Sequence, residues 1–370
     1  MRIVHISDCY LPRLGGIEQQ VSGLARAQLA AGHEVHVLTA TRQDEAPEAA
    51  IDGVAVHRLT APLPFDLPLH PRAGRVIHKR LAALDADVVH VHIGSVSPFA
   101  WAGLRAADAL RLPTLTSVHS IWGPISRGLY ALGRLLLDWP ASTRVSAVSR
   151  AAADLVARAA ACEVSVIGNG VELSGWSAAD RPAGARLRLV SATRFSPRKR
   201  VLPLLLVMRT LRRRLGADCP ELTIAGSGSS LRLAKWLLGP LGLNGVVWLP
   251  GRLTREQLAA LYADSDVFVQ LSVRESFGLA AVEARAAGLP VVGRTGTGFA
   301  EFVTDGETGL LARSDGAATA ALLRLHRDRG LLEQLRRNSR DRRPTQNWHS
   351  LTAAVEAAYA AAADDLRLGS

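Results

Sequence analysis

Asp266-Val267-Phe268-Val269-Gln270-Leu271 runs through Ser272-Val273 into Arg274-Glu275-Ser276-Phe277-Gly278-Leu279-Ala280-Ala281-Val282-Glu283. The first six residues read as a buried strand, and the residues from Leu279 to Ala286 as a helix. Glu275 therefore falls in the loop at the carboxyl end of a strand, and Glu283 about one turn inside the next helix. In an open parallel sheet that edge is where ligands bind. The backbone N–H groups of Phe277, Gly278 and Leu279 are the unpaired donors of a helix start, which suits an anion. A carboxylate beside such a site is electrostatically odd unless it reads hydroxyls, and sugar hydroxyls meet that need. The competing reading is a helix with an acidic first turn, a common stability device. This stretch alone leaves both open.

The same strand–loop–helix alternation covers nearly the whole chain. Residues 3–7, 35–39, 54–59, 88–91, 114–118, 145–148 and 164–167 read as strands of a first half, with helices that include 17–31, 72–84 and 150–160. A polar connection follows Gly168-Asn169-Gly170 and passes through Trp176 and Pro182. Strands resume at 187–192, 222–225, 246–249, 266–271, 290–292 and 309–311. Such alternation specifies an α/β fold of doubly wound, Rossmann-like parallel sheets with helices on both faces. At 370 residues the chain is too long for one ordinary core. The expected domains are 1–172 and 173–346, facing across a cleft where ligands bind. Residues 347–370 carry a final helix, from Trp348 to Ala362, expected to pack back on the first domain.

The 48% hydrophobic and 21% charged composition is that of a globular chain. No run approaches the roughly 20 apolar residues that span a bilayer, and Met1-Arg2-Ile3-Val4-His5-Ile6-Ser7 reads as a strand, not a signal peptide. Cys9, Cys162 and Cys219 are odd in number and far apart, which suggests neither a disulfide framework nor a zinc knuckle. A cytoplasmic protein is the simplest account. The net charge of +11 favours acidic ligands or anionic membrane surfaces. The low aromatic content and the absence of basic–aromatic interleaving argue against nucleic acid.

Other motifs fall at the ends of strands. Gly15-Gly16 lies between the first strand and its helix, where glycines let backbone approach a phosphate; a plain tight turn is the alternative. Arg194 and Lys199 flank a Pro-bearing loop, Thr193-Arg194-Phe195-Ser196-Pro197-Arg198-Lys199, and could converge on one diphosphate, or form a solvated basic loop. Among 44 basic residues only Lys79, Lys199 and Lys235 are lysines, so a lysine kept at this loop suggests a need for a compact ammonium. Gly226-Ser227-Gly228 lacks the third glycine of a dinucleotide fingerprint. Asp85-Ala86-Asp87 and Asp264-Ser265-Asp266 resemble metal-binding triplets but precede their strands, opposite the ligand edge. His90 and His92 share a strand face with no third ligand evident in the sequence. His119 ends the strand 114–118 at the ligand edge.

Taken together these motifs resemble the retaining glycosyltransferases of family 4, with the GT-B fold. The resemblance rests on Gly15-Gly16-Ile17-Glu18, Ser117-Val118-His119, Ala147-Val148-Ser149, Val166-Ile167-Gly168-Asn169-Gly170-Val171, Arg194 with Lys199, the Glu275/Glu283 pair and the Trp348 helix. It implies transfer of a sugar from a UDP- or GDP-linked donor with retention of anomeric configuration, needing neither cofactor nor metal. Arg194 and Lys199 would neutralise the diphosphate, and Glu283 would hold the ribose. Glu275 would hold the donor sugar, the amides of Phe277, Gly278 and Leu279 would lie near the phosphate, and His119 beside the transferred sugar. Thr295-Gly296-Thr297-Gly298-Phe299-Ala300-Glu301 departs from the family's Gly-Gly-x-Pro-Glu, which leaves donor identity open. A GT-B epimerase or hydrolase, or a silent nucleotide-sugar-binding subunit, are the competing readings.

For the acceptor, a small molecule, a glycan and a lipid-linked molecule all remain open. Arg72, Arg75 and Lys79 share one helix face, with Ile77, Leu81 and Leu84 on another. The stretch from Ile121 to Pro140 carries Leu129, Leu132 and Leu136 at helical spacing between Trp122 and Trp139. Both stretches fit either a core-facing helix or a helix lying in the interface of an anionic membrane.

Overall fold

The computed structural model describes residues 1–13, 15–42, 48–61, 70–137, 139–177 and 186–368. Pro182 of the expected connection and the side chain of Leu136 lie outside the described residues. The chain divides into one unit of Met1–Glu172 with Gln346–Ser370 and a second of Leu173–Thr345.

The first unit carries β1 (Arg2–Ser7), β2 (Glu34–Thr39), β3 (Glu48–Ile51), β4 (Val54–Arg58), β5 (Val88–Ile93), β6 (Thr114–Val118), β7 (Arg144–Ala147) and β8 (Ser165–Val166). They form one sheet in the order β3-β4-β2-β1-β5-β6-β7-β8. Its helices are α1 (Gly16–Ala30), α2 (Ala73–Leu84), α3 (Pro98–Ala109), α4 (Pro124–Leu137) and α5 (Arg150–Ala160). All pairs are parallel except β3 with β4, an edge strand the alternation does not announce. Its signal is Asp52-Gly53, both at positive φ, which turn Ile51 back onto Val54 as a two-residue hairpin demands. Every residue of β5 is buried, as expected of a parallel strand covered on both faces.

The second unit carries β9 (Arg188–Ala192), β10 (Glu221–Ala225), β11 (Val247–Gly251), β12 (Val267–Val269), β13 (Val291–Arg294) and β14 (Gly309–Ala312) in the order β11-β10-β9-β12-β13-β14, all parallel. Its helices are α6 (Val201–Leu215), α7 (Leu231–Leu237), α8 (Arg255–Ala263), α9 (Leu279–Ala286), α10 (Asp315–Arg327) and α11 (Arg329–Asp341). The strand order reverses between β9 and β12, as it does between β1 and β5 in the first unit. At such a reversal the loops leaving neighbouring strands turn to opposite faces and open a crevice at the carboxyl edge.

The last helix, α12 (Trp348–Leu368), belongs to the first unit and runs a turn and a half beyond the expected 348–362. The ring of Trp348 occupies the space where a Cβ on Gly23 or on Gly170 would stand, so both positions must be glycine for the helix to seat. Val355 and Tyr359 then complete a buried cluster with Ile3, Leu24 and Leu115.

Trp122 and Trp139 are core residues rather than interfacial anchors. Trp122 is stacked on Tyr130 with ring centroids 3.7 Å apart and donates to the Gly94 carbonyl, while the indole of Trp139 donates to the carbonyl of Tyr130. Between them the apolar face of α4 splits. Tyr130 turns inward, and Ile125, Leu129, Leu132 and Leu135 are exposed.

Candidate active site

In the second unit the crevice between β9 and β12 receives one loop from each strand. The loop after β9 ends in the short 3-10 turn Pro197–Lys199, followed by Arg200 at φ 57, and α6 begins at Val201. Its course is fixed from below: a Cβ on Gly226 would collide with the Thr193 carbonyl, and one on Gly228 with that of Phe195. The Gly-x-Gly after β10 is thus a close backbone approach that seats the 193–199 loop. Arg200 then pairs with Asp315, which also receives Arg294.

The loop after β12 carries Glu275. Its carboxylate is buried and accepts from Lys199 Nζ at 2.7 Å and from Gln270 Nε2 at 2.8 Å. Gln270 Nε2 also reaches Ser272 Oγ at 3.2 Å. A buried carboxylate needs such partners, since unpaired burial of a charge is strongly unfavourable. Lys199 keeps 31% of its side chain exposed, against 8% for Glu275. Arg194 is exposed on the same loop.

Gly278, at φ +100, ends this loop and precedes α9. Phe277 is fully buried. Phe299 is fully buried and lies where a Cβ on Gly278 or on Gly293 would stand. The Gly298 amide donates to the Glu275 carbonyl at 2.9 Å. Thr297-Gly298-Phe299, the segment that departs from the family pattern, is therefore the floor on which the Glu275 loop rests.

Glu283 lies partly buried on α9, where burial pushes its carboxyl up to about 7 against the pull of Arg255. Arg255 stands over the Trp176 ring at 5.1 Å and donates to the Ser174 carbonyl. Arg285, two residues on, is buried and donates to the carbonyls of Ser339 and Arg342 at the end of α11. A cation at a helix carboxyl terminus is electrostatically favoured, and this one ties α9 to the rest of the unit. Sequence reasoning missed Gln270, Arg285 and Phe299. Gln270 left a trace as a polar residue within an apolar run, and Phe299 as part of the segment that departs from the family pattern.

In the first unit Gly15 precedes α1 and Gly16 opens it. A Cβ on Gly15 would collide with the Glu18 carboxylate, which therefore occupies the start of α1, while the space beside Gly16 is open. His119 follows β6, and its Nε2 stands 3.0 Å from His92 Nδ1. Burial pushes the His119 ring down to about 4. His90 and His92 do have a third imidazole beside them, His5 from the neighbouring strand β1, with ligand atoms within 4.8 Å. Asp8, after β1, is another residue the sequence reading passed over. It accepts from the Phe99 amide at 3.0 Å, and burial raises its carboxyl to about 6. Both Asp-x-Asp triplets lie at amino ends, where Asp87 receives the Arg2 amide and Asp266 the Arg188 amide.

Residues 14–174 match the model of Glycosyltransferase Family 4, and residues 178–342 that of Glycosyl transferases group 1. A GDP-mannose-dependent alpha-(1-6)-phosphatidylinositol monomannoside mannosyltransferase of Mycolicibacterium smegmatis is 30% identical, with 86% of each chain covered. The chain belongs to glycosyltransferase family 4. A glycogen synthase of Mycobacterium tuberculosis is 29% identical over 98% of this chain and 95% of its own length. In fold, Anabaena Alr3699/HepE in complex with UDP superposes with a TM-score of 0.75 at 18% identity, covering 98% of this chain and 100% of that one. Both units are the Rossmann-like domains of a GT-B glycosyltransferase, an enzyme that uses a nucleotide sugar. Among the described residues no helix is long and apolar enough to cross a membrane.

The raised Glu283 gives a measurable pH dependence. Between pH 4.5, where a free glutamate titrates, and about 7 the folded chain keeps a proton that the unfolded chain has released. Stability contributed by that site therefore falls as pH rises through this window. Glu283→Gln removes the dependence, so its Tm relative to wild type is expected to climb from about pH 5 to about pH 8. Thermal melts across that range check it; a flat difference would contradict the burial of this carboxyl.

Proposed function

We propose that this glycosyltransferase moves a sugar from a UDP- or GDP-linked donor to an acceptor with retention of anomeric configuration and without a metal ion. The observation that carries the reading is the Lys199–Glu275 pair at the strand reversal of the second unit. Lys199 and Arg194 bind the diphosphate and stabilise the charge that grows on it as the anomeric bond breaks. The amides of Phe277, Gly278 and Leu279 add donors at the phosphate. Glu275 orients the sugar through its hydroxyls, Glu283 holds the ribose, and His119 serves the transferred sugar. Gly15 and Gly16 serve the donor from the first unit, with Gly16 the open position of the two. The leaving diphosphate takes the acceptor's proton, so no separate base is required. The relative named for GDP-mannose supports a guanine donor, and the UDP-bound neighbour a uracil one. A thermal-shift panel of UDP, GDP, ADP and their sugars decides between them, since ligand at 100 times its Kd adds about 2.7 kcal/mol.

Lys199→Ala is expected to lower kcat by on the order of 10²-fold, because its charge matters most in the transition state. Glu275→Gln is expected to depress kcat, whereas Glu283→Ala mostly weakens nucleotide binding and shows in KM. Steady-state kinetics, with activity retained in excess EDTA, tests the set. Near-normal turnover of Lys199→Ala, equal losses of nucleotide affinity in both glutamate variants, or activity abolished by EDTA and restored by Mn2+ would each refute the corresponding assignment.

The acceptor is lipid-linked, and the first unit docks on anionic membrane. Arg72, Arg75 and Lys79 are exposed while Ile77 and Leu81 are buried. The exposed apolar side of α4 borders a cavity of about 270 Å³ lined by Trp101, Leu129, Tyr130, Leu132 and Trp139, suited to an aliphatic chain. Each basic residue at an anionic surface contributes about 1 kcal/mol. Liposome co-sedimentation should rise with anionic lipid, fall with salt, and drop in the Arg72/Arg75/Lys79 triple alanine variant. No binding to anionic vesicles at low salt would point to a small molecule or a glycan as acceptor.

A further inference from the structure

The first unit buries a chain of hydrogen-bonding rings that the proposed reaction does not use directly. From α1, Gln28 Oε1 stands 2.7 Å from His5 Nε2. His5 Nδ1 is 2.9 Å from His92 Nε2, and His92 Nδ1 is 3.0 Å from His119 Nε2. A side branch leaves through Tyr359 of α12: Gln28 Nε2 donates to its hydroxyl at 3.1 Å, and that hydroxyl is 2.8 Å from His90 Nδ1. His90 Nε2 then meets Ser117 Oγ at 2.8 Å, and Ser117 meets Ser146.

Burial pushes His5 down to about 4 and holds His90 and His92 well below the usual imidazole range. Each neutral ring carries one proton, so one nitrogen donates and the other accepts. The direction of donation at one end then dictates every tautomer to the other. An amide carbonyl only accepts, so Gln28 Oε1 requires the proton of His5 on Nε2. His5 Nδ1 must then accept from His92 Nε2–H, and His92 Nδ1 from His119 Nε2–H. On the branch, Tyr359 accepts from the Gln28 amide and donates to His90 Nδ1, which leaves His90 Nε2–H for Ser117.

We propose that Gln28, held by Tyr359, sets the tautomer of His119 through His5 and His92, so that His119 carries its proton on Nε2 and presents a bare Nδ1. That Nδ1 is buried and makes no hydrogen bond of ordinary length among the described residues, with the Asn169 side chain beside the ring. It is the acceptor at the end of the chain, beyond β6 at the carboxyl edge. Gln28, His5 and His92 are positioning residues. The closing helix α12 thereby gains a purpose beyond packing, since Tyr359 orients the amide that polarises the chain.

The same histidines invite a metal reading, because His5, His90 and His92 offer nitrogens within 4.8 Å of one another. Every one of those nitrogens already has a partner within the protein. An ion would have to replace those bonds, so the ring chain is the better account.

The consequence for turnover rests on the assignment of His119 to the transferred sugar; the tautomer itself does not. Long-range 1H–15N correlation on 15N-histidine-labelled protein reads which ring nitrogen bears the proton, with His119 assigned by a His119→Gln variant. Wild type is expected to show His119 protonated on Nε2 alone. Gln28→Met removes the acceptor and is expected to give a mixture of tautomers, while Gln28→Glu, an obligate acceptor, restores the single form. On turnover, Gln28→Met should lower kcat by on the order of 10-fold at little change in nucleotide KM, as a mis-set imidazole tautomer does, and Gln28→Glu should recover it. A shifted tautomer with unchanged kcat upholds the chain and removes His119 from the reaction. An unchanged tautomer in folded Gln28→Met, or stoichiometric zinc held by the purified protein at these rings, overturns the proposal.

Discussion

A carboxylate cannot be buried at the edge of a sheet unless a cation or several donors meet it there. Glu275 is such a carboxylate, and Lys199 and Gln270 meet it. The topology of the second unit brings these groups together, because β9 and β12 are neighbours in space although far apart in sequence. One supplies the lysine loop and the other the glutamate loop and the glutamine. The pair is buried on the glutamate side and part-exposed on the lysine side.

Glycine and phenylalanine hold the pair in place. Gly226 and Gly228 let the β10 loop pass under residues 193–195, and Gly278 and Gly293 make room for Phe299. These are contacts in which a single methyl group would displace backbone, and close-packed interiors do not absorb such displacement. Arg285 anchors α9 from behind by capping α11, so Glu283 sits on a helix fixed at both ends. The first unit solves a different problem with a different device: its core between β1, β5 and α12 contains a buried polar chain beside its apolar cluster, and the rings of His5, His90 and His92 satisfy one another and the side chains around them.

The strands, their order of appearance and the carboxyl-edge loops were legible because parallel α/β units write themselves as apolar runs separated by helical periodicity. Glu275 and His119 stood out as polar residues soon after such runs, and Lys199 as a rare lysine in a Pro-bearing loop. The hairpin strand β3 was not, since its marker is the Asp52-Gly53 turn rather than a hydrophobic run. The third histidine was invisible because pairing of β1 with β5 is a long-range fact: His5 opposes His90 only through register. Phe299 could be seen only as a departure from a family pattern; that it fills the space left by two glycines depends on the loop before α9, strand β13 and the turn that carries Phe299 itself. Trp122 and Trp139 bound a stretch whose spacing fits either a core-facing or an interfacial helix; the structure places both indoles in the core, where each N–H finds a carbonyl partner.

Determining the structure with a nucleoside diphosphate bound tests the site most directly. The diphosphate is expected within hydrogen-bond distance of Lys199 Nζ, at the start of α9, with the ribose hydroxyls on the Glu283 carboxylate. A nucleotide seated away from the β9–β12 crevice, or one whose ribose turns its back on Glu283 while Lys199 stays bound only to Glu275, would contradict it.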